Sequence, residues 1–378
     1  MKLAILTQPL FFNYGGLLQA YALQTILERM GHEVIILNRE TTSTSGRFPN
    51  NLVLDAKYFL RKILRKPNVT RNSRQNKLIS SKTQKFTDSY LHASPSLYSV
   101  KLLNKYLSKH PQDGFVVGSD QVWRPSMSPC LTNYFLDFTK LQNVKRIAYA
   151  ASFGVDCWEF TDADTVACSA LAKIFDAISV REASGVALCE EYLEVDAVHV
   201  LDPTLMLEKE DYIQLANEAN EPKIDGSLFC YVLDKSEEKQ TVIKTISQKQ
   251  GLKDFYCMPA LHDSPENIER DPDNCIYPPV TQWLRSFMDA EMVLTDSFHG
   301  AVFSIIFNKP FWVIGNKARG LSRFESILGI FGLQDRLITP EQASSIDWIA
   351  PIDWERVNAV RKEWQNMSQD FLDKALSV

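Results

Sequence analysis

A chain of 378 residues exceeds the size at which one hydrophobic core usually stops growing, so two domains of ordinary size are expected. With 45% apolar and 23% charged residues the composition is that of a globular protein, and a net charge of -5 gives no global reason to bind nucleic acid. The first apolar segment, MKLAILTQPLFF, is short for a secretory signal and lacks a small-residue cleavage pattern. No uninterrupted run of about 18 apolar residues occurs, and a cytoplasmic protein is expected.

The first forty residues read as a βαβ unit: KLAILT is strand-like, LLQAYALQTILERM carries apolar groups at helical spacing, Gly31 stops the helix, and HEVIILN is a second strand. Its loop ends in Asn13, Gly15 and Gly16 at a helix start, where unpaired N–H groups and the helix dipole suit an anionic or hydroxyl ligand. A basic insertion of about residues 41–110 follows. Within it, KYFLRKILRKPNVTRNSRQNKLISSKTQKF has ten Lys or Arg and no acid. Phe59, Leu60, Ile63 and Leu64 share one helical face, so residues 57–85 read either as a solvated helix packed on its own domain or as a peripheral contact with an anionic membrane.

Alternation then resumes with FVVGSD, RIAYAASFG, AISVRE and AVHVLDP as strands between helical patterns, the signature of a parallel sheet. A charged stretch around residues 208–225 marks a boundary. Beyond it SLFCYVLD, DFYCMPA, EMVLTD and FWVIG form a second alternation, and the helical pattern from Ile352 to Leu376 is expected to pack back on the body. The expected architecture is α/β: two Rossmann-like domains with parallel sheets facing a cleft, residues 1–207 and 208–378. Seven scattered cysteines without a CxxC pair or paired histidine spacing read as reduced core thiols, with no metal site.

Ligands of open parallel sheets bind beyond the carboxyl ends of the strands, and this ranks the polar motifs. GSDQVW offers Ser119, Asp120, Gln121 and Trp123, residue types that hold sugar hydroxyls and an apolar ring face; Asp and Ser there also serve as ordinary helix caps. Arg181 and Glu182 in VREAS read either as ligand groups or as a structural ion pair. In TDSFHG, His299 falls in the first turn of a helix, poised to exchange a proton near neutral pH, beside Ser297 and a close-approach residue, Gly300. The alternative there is a capped helix start. Downstream, Asn316, Arg319, Ser322 and Arg323 follow a strand, and two guanidinium groups in one loop suit a phosphate or carboxylate.

NYGGLLQAYALQ, FVVGSDQVW, AYAASFG, SVREASG, VLDPTLML, TDSFHG before an apolar helix and NKPF, and RGLSRFESIL before GLQDRL occur in that order. Together they resemble the polysaccharide pyruvyl transferase family. That resemblance implies a two-domain GT-B-like enzyme that moves the pyruvyl group of phosphoenolpyruvate onto a sugar as a cyclic ketal, with no metal or other cofactor. It implies His299 as the catalytic residue. Many members carry an Arg inside the histidine motif; here it contains Phe298 and no Arg, so the donor anion is assigned to Ser297, Gly300, Asn316, Arg319, Ser322 and Arg323. The acceptor, a glycan or lipid-linked oligosaccharide at the inner face of the cytoplasmic membrane, is assigned to Asn13, Gly15, Gly16, Gln19, Ser119, Asp120, Gln121, Trp123 and Arg181. The first domain is thus the acceptor side and the second the donor side. The rival readings are a nucleotide-sugar glycosyltransferase of the same architecture and a non-catalytic glycan-binding protein. If residues 57–85 meet a lipid surface, neutralising Arg61, Lys62, Arg65 and Lys66 together weakens sedimentation with anionic vesicles while the melting temperature stays put; unchanged vesicle binding removes the idea.

Overall fold

The computed structural model describes residues 1–40, 71–234, 236–315 and 321–377. Two parallel sheets carry the chain. The first takes β1 (Lys2–Leu6), β2 (Glu33–Ile36), β3 (Gly114–Val117), β4 (Lys145–Ala151), β5 (Ala177–Val180) and β6 (Val198–His199), in the order β2-β1-β3-β4-β5-β6. The second takes β7 (Leu228–Tyr231), β8 (Asp254–Phe255), β9 (Met292–Thr295), β10 (Phe311–Ile314) and β11 (Leu337–Ile338), in the order β11-β10-β9-β7-β8. β3, β7, β9 and β10 are buried at every position, because helices cover both faces of each sheet; such strands are apolar without alternation. All ten strands expected from the sequence are present. β11 was not expected, since the two residues Leu337 and Ile338 carry no strand pattern of their own.

Within the first half, α1 (Tyr14–Arg29) crosses from β1 to β2, and Gly31 with φ 86° turns the chain after it. The described part of the insertion forms α2 (Ser73–Ile79), α3 (Ser81–Tyr90) and α4 (Val100–Lys109). The basic face over Arg61 to Lys66 lies outside the described residues. α2 straps the two halves together: Arg71 pairs with Asp263, Gln75 Nε2 donates to the Pro265 carbonyl at 3.2 Å, and Tyr277 N donates to the Ile79 carbonyl at 2.9 Å. Alongside, Phe12 stacks on Tyr277 with ring centroids 4.3 Å apart.

The remaining helices are α5 (Asp162–Ala172), α6 (Ala183–Leu188), α7 (Pro203–Met206), α8 (Lys209–Glu218), α9 (Glu237–Gln250), α10 (Pro265–Arg270), α11 (Val280–Asp289), α12 (Phe298–Ile306), α13 (Ser322–Phe331) and α14 (Trp354–Leu376). α14 packs back as expected: Arg361 Nε donates to the Leu205 carbonyl at 3.0 Å, Gln365 Nε2 to the same oxygen at 2.9 Å, and Ser368 Oγ accepts from Leu201 N at 3.0 Å. No helix among the described residues is long and apolar enough to cross a membrane. All seven cysteines are free and five are buried; Cys130 is half-buried and Cys157 exposed, so the expectation of core thiols fails at those two.

The largest core cluster runs through both halves without a break, from Leu3, Leu18 and Tyr149 to Trp283, Phe303 and Leu372. Phe303 of α12 sits at its middle, with ring centroids 4.9 Å from Tyr212 and 4.9 Å from Trp283. Phe303→Ala removes these contacts and leaves a cavity, so unfolding free energy falls by about 3–5 kcal/mol. Because the core is shared, calorimetry is expected to show one transition in the wild type and in the variant; two separate transitions would contradict a common core.

Candidate active site

The strand orders fix where the site lies. In the first sheet the connections leave β1 and β3 in opposite directions, and in the second they do so at β7 and β9, opening a crevice at the carboxyl ends of each pair. The first crevice is knitted shut by its own polar groups. Thr7 Oγ1 donates to the Ser119 carbonyl at 3.0 Å, Gln8 Nε2 to the Gln121 carbonyl at 2.7 Å, and Gln19 Nε2 to Thr7 Oγ1 at 2.7 Å while its Oε1 accepts from Ser119 N at 3.0 Å. In the second crevice, Asp296 accepts from Leu233 N at 2.7 Å, Asp234 N at 3.1 Å and Lys239 Nζ at 2.6 Å. Asp296 thereby ties the loop after β7 to the loop after β9 and fixes where α12 begins.

His299 is the second residue of α12 and is buried, 7% exposed. The helix start gets no side-chain cap from Ser297, so its first-turn N–H groups lack that partner. The imidazole rests against α1: a Cβ at Gly15 would stand 2.1 Å from His299 Nδ1, so only glycine admits the ring there. On its other side His299 Nε2 lies 3.7 Å from Asp202 Oδ2 and has no hydrogen-bond partner among the described residues. At that separation the two groups are neighbours beyond hydrogen-bond distance.

Asp202 caps α7 from the first half. Its Oδ1 accepts from Thr204 N at 3.0 Å and Thr204 Oγ1 at 2.7 Å, and its Oδ2 accepts from Arg181 Nη1 at 2.8 Å and Ser119 Oγ at 3.1 Å. Burial by itself would raise this carboxyl; His299 and Arg181 outweigh it and hold the group well below the usual carboxylate range. Arg181 also reaches Glu182 Oε1 at 3.2 Å and lies 3.8 Å from Asp120 Oδ1, and its guanidinium covers the Phe298 ring at 4.2 Å from the centroid. Burial disfavours its charge, but Glu182, Asp202 and Asp120 together raise its proton affinity above the ordinary value. Arg323, half-buried at the start of α13, faces the same cluster; burial and the Arg181 charge lower its proton affinity.

Several expected ligand residues serve the fold instead. Trp123 is fully buried, stacks on Phe135 at 4.9 Å and donates its indole N–H to the Tyr134 carbonyl, so its face is closed to a sugar. Gln19 and Ser119 are buried and spent on the contacts above. Gly300 makes room for Thr295, whose Oγ1 would meet a Cβ at 2.1 Å, and not for a ligand. Gly16 accommodates the capping Asn13, whose Oδ1 accepts from Gly16 N at 3.2 Å. Arg181 is an internal ion-pair centre, the structural alternative of the two readings. Asp120 is buried next to it, Gln121 is half-buried and Asn13 is exposed. Ser297 is half-buried, and Ser322 is buried with no partner for its hydroxyl among the described residues. Asn316 and Arg319 lie outside the described residues. Asp202 and Lys239 were missed: VLDP reads as a strand end with a helix cap, and Lys239 as one charge among many on α9. Only the approach of the two halves gives Asp202 its histidine.

A family model described as polysaccharide pyruvyl transferase matches residues 13–318. The chain belongs to the polysaccharide pyruvyl transferase family. No curated protein sequence matches it. Among solved structures, this pyruvyl transferase family member is similar to UGT89C1 of Arabidopsis thaliana in complex with UDP-L-rhamnose, at 11% identity over 98% of this chain and 97% of that one, with a TM-score of 0.53. It is also similar to the UDP-GlcNAc 2-epimerase of Methanocaldococcus jannaschii, at 13% identity over 98% and 99% of the two chains, with a TM-score of 0.51. At such identity the likeness concerns the fold alone, and the fold is GT-B, as expected.

Beside the cluster, His199 bridges the halves: its Nε2 lies 3.0 Å from the Arg181 carbonyl and 3.3 Å from Ser326 Oγ of α13, which also accepts from Ala183 N at 3.1 Å. Burial lowers its proton affinity, more than the Arg181 carbonyl and the Glu182 charge raise it. A folded-state pKa below the unfolded one means that its contribution to stability is complete above about pH 6.5 and is lost as pH falls through the folded-state value. Urea midpoints are therefore expected to fall less between pH 7.5 and 5 in His199→Gln than in the wild type; parallel lines would dismiss the contribution.

Proposed function

We propose that the protein transfers the pyruvyl group of phosphoenolpyruvate onto a sugar of a polysaccharide or lipid-linked oligosaccharide precursor at the inner face of the cytoplasmic membrane, forming a ketal and releasing phosphate. Family membership supplies the reaction class, and one observation carries the reading. A buried histidine with an unpartnered ring nitrogen stands in the first turn of an uncapped helix, at the switch point of one sheet and against the helix start of the other.

The residues suit the chemistry in the following way. His299 gives a proton to the methylene carbon C3 of phosphoenolpyruvate, which becomes a methyl group and leaves C2 electron-poor. A sugar hydroxyl oxygen bonds to C2, the bond from C2 to the phosphate oxygen breaks, and a second hydroxyl oxygen bonds to C2 to close the ketal. The two hydroxyls release two protons: one replaces the proton given to C3 and one leaves with the phosphate. The donor's anionic groups are assigned to the first-turn N–H groups of α12, to Ser297, Ser322 and Arg323, and, on the sequence, to Asn316 and Arg319. Asn13, exposed, and Gln121, half-buried, are the polar side chains of the expected acceptor set that are not fully buried, and are assigned to the acceptor.

Incubation with phosphoenolpyruvate and a panel of galactose-, mannose- and glucosamine-terminated acceptors tests the reading. The expected result is an acceptor heavier by one pyruvyl ketal, with phosphate released in equal amount. His299→Ala is expected to lower kcat by about 10²–10⁴. Undiminished transfer by that variant would remove His299 from the reaction, and release of a nucleoside diphosphate from a sugar nucleotide would replace the reading with a glycosyl transfer.

A further inference from the structure

We propose that Asp202 is the positioning residue of His299, holding the imidazole across the seam, so that the proton donor is complete only when the two halves are docked. The inference rests on the proton-donor role given to His299 above. His299 comes from the second half on α12, and Asp202 from the first half at the start of α7.

The charges around the ring favour this assignment. From the first half, Asp202, Glu182 and Asp120 surround Arg181, three carboxylates about one guanidinium. Arg323 of α13 faces that group and supplies a second positive charge. The titratable ring that approaches these carboxylates from the second half is His299, 3.7 Å from Asp202 Oδ2. On its own element, Asp296 is already matched by Lys239. The phenols packed nearby, Tyr14, Tyr149 and Tyr212, are pushed by burial further toward their neutral form and supply no charge.

Geometry adds a second argument. The ring is held between two fixed surfaces, the backbone at Gly15 and the carboxylate of Asp202. The carboxylate is itself anchored by four donors from Thr204, Arg181 and Ser119, so it has no freedom to follow the ring. Oδ1 caps α7, and Oδ2, held by Arg181 Nη1 and Ser119 Oγ, is the oxygen that also faces His299 across the seam.

The test uses the full chain and three variants. Asp202→Asn keeps the shape and a cap for α7 but removes the charge. In it, kcat for pyruvyl transfer is expected to fall at least tenfold with KM for phosphoenolpyruvate within about threefold, and the alkaline limb of kcat to move to lower pH by about one unit. Hydrogen–deuterium exchange at C2 of His299, read by mass spectrometry against pH, is expected to move the same way. Thr204→Val removes a hydrogen bond from Oδ1, away from the histidine; it is expected to lower the melting temperature while leaving the exchange curve and the pH profile in place. An exchange curve unmoved in folded Asp202→Asn, or moved as far by Thr204→Val, overturns the inference. Should Asp202→Asn fail to fold, Gly15→Ala decides: its methyl crowds Nδ1 on the side opposite Asp202 and changes the distance between ring and carboxylate, and an unmoved exchange curve there is equally fatal. If the wild type turns over no phosphoenolpyruvate, the transfer reading falls, and the exchange measurement still judges Asp202.

Discussion

Helix α12 is buried along its whole length, and the remainder of the molecule is arranged around that requirement. A nine-residue helix that is apolar on every side cannot lie on a surface, so it needs covering by both halves of the chain. The second sheet supplies one wall, α7 another, and the Tyr212 ring of α8 and the Trp283 ring of α11 supply the rest. α14 then comes back across the seam and fastens on α7 by hydrogen bonds to its carbonyls. The polar end of α12 is carried into the same seam, and this is how a histidine at a helix start arrives against the backbone of Gly15 and the carboxylate of Asp202.

Such a placement is expensive in desolvation, and the pairing of the buried charges is what offsets it. Arg181 sits among three carboxylates, and Asp202 is satisfied at both oxygens before His299 is counted. Removing one member of a buried pair costs about 3–5 kcal/mol because its partner is left uncompensated. These pairs lie within the first half, and the approach of Phe298 and His299 to them makes the surroundings of His299 a property of the docked molecule. Lys239 and Asp296 do the corresponding work within the second half, where they fix the point at which the chain leaves β9 and turns into α12.

Period and punctuation made much of the fold legible. Apolar runs bounded by Gly, Asp and Ser marked ten strands, and helical spacing marked α1, α5, α12 and α14, because burial on both faces of a parallel sheet leaves a pattern in composition. β11 escaped, since two residues pair only because β10 is already in place. At the site, the reasoning that chose His299 from its strand-loop-helix context agrees with its position at the switch point. The same reasoning chose Trp123, Gln19, Ser119 and Gly300 from residue type at strand exits and helix starts. Residue type cannot tell a group that faces a ligand from one that faces its neighbours, and these four face Tyr134, Thr7, Asp202 and Thr295.

The sequence by itself determined the two α/β halves, the family to which the ordered motifs belong, and the histidine at the head of the apolar run. These follow from local period and from spacing along the chain, which need no partner from elsewhere. Only the tertiary structure decided which charge meets that histidine, and that Arg181 is a buried ion-pair centre. His299 and Asp202 stand on different halves, separated by the whole of the chain between α7 and β9. A Coulombic contact falls with distance in space and is blind to distance in sequence, so the packing that buried α12 had to come first.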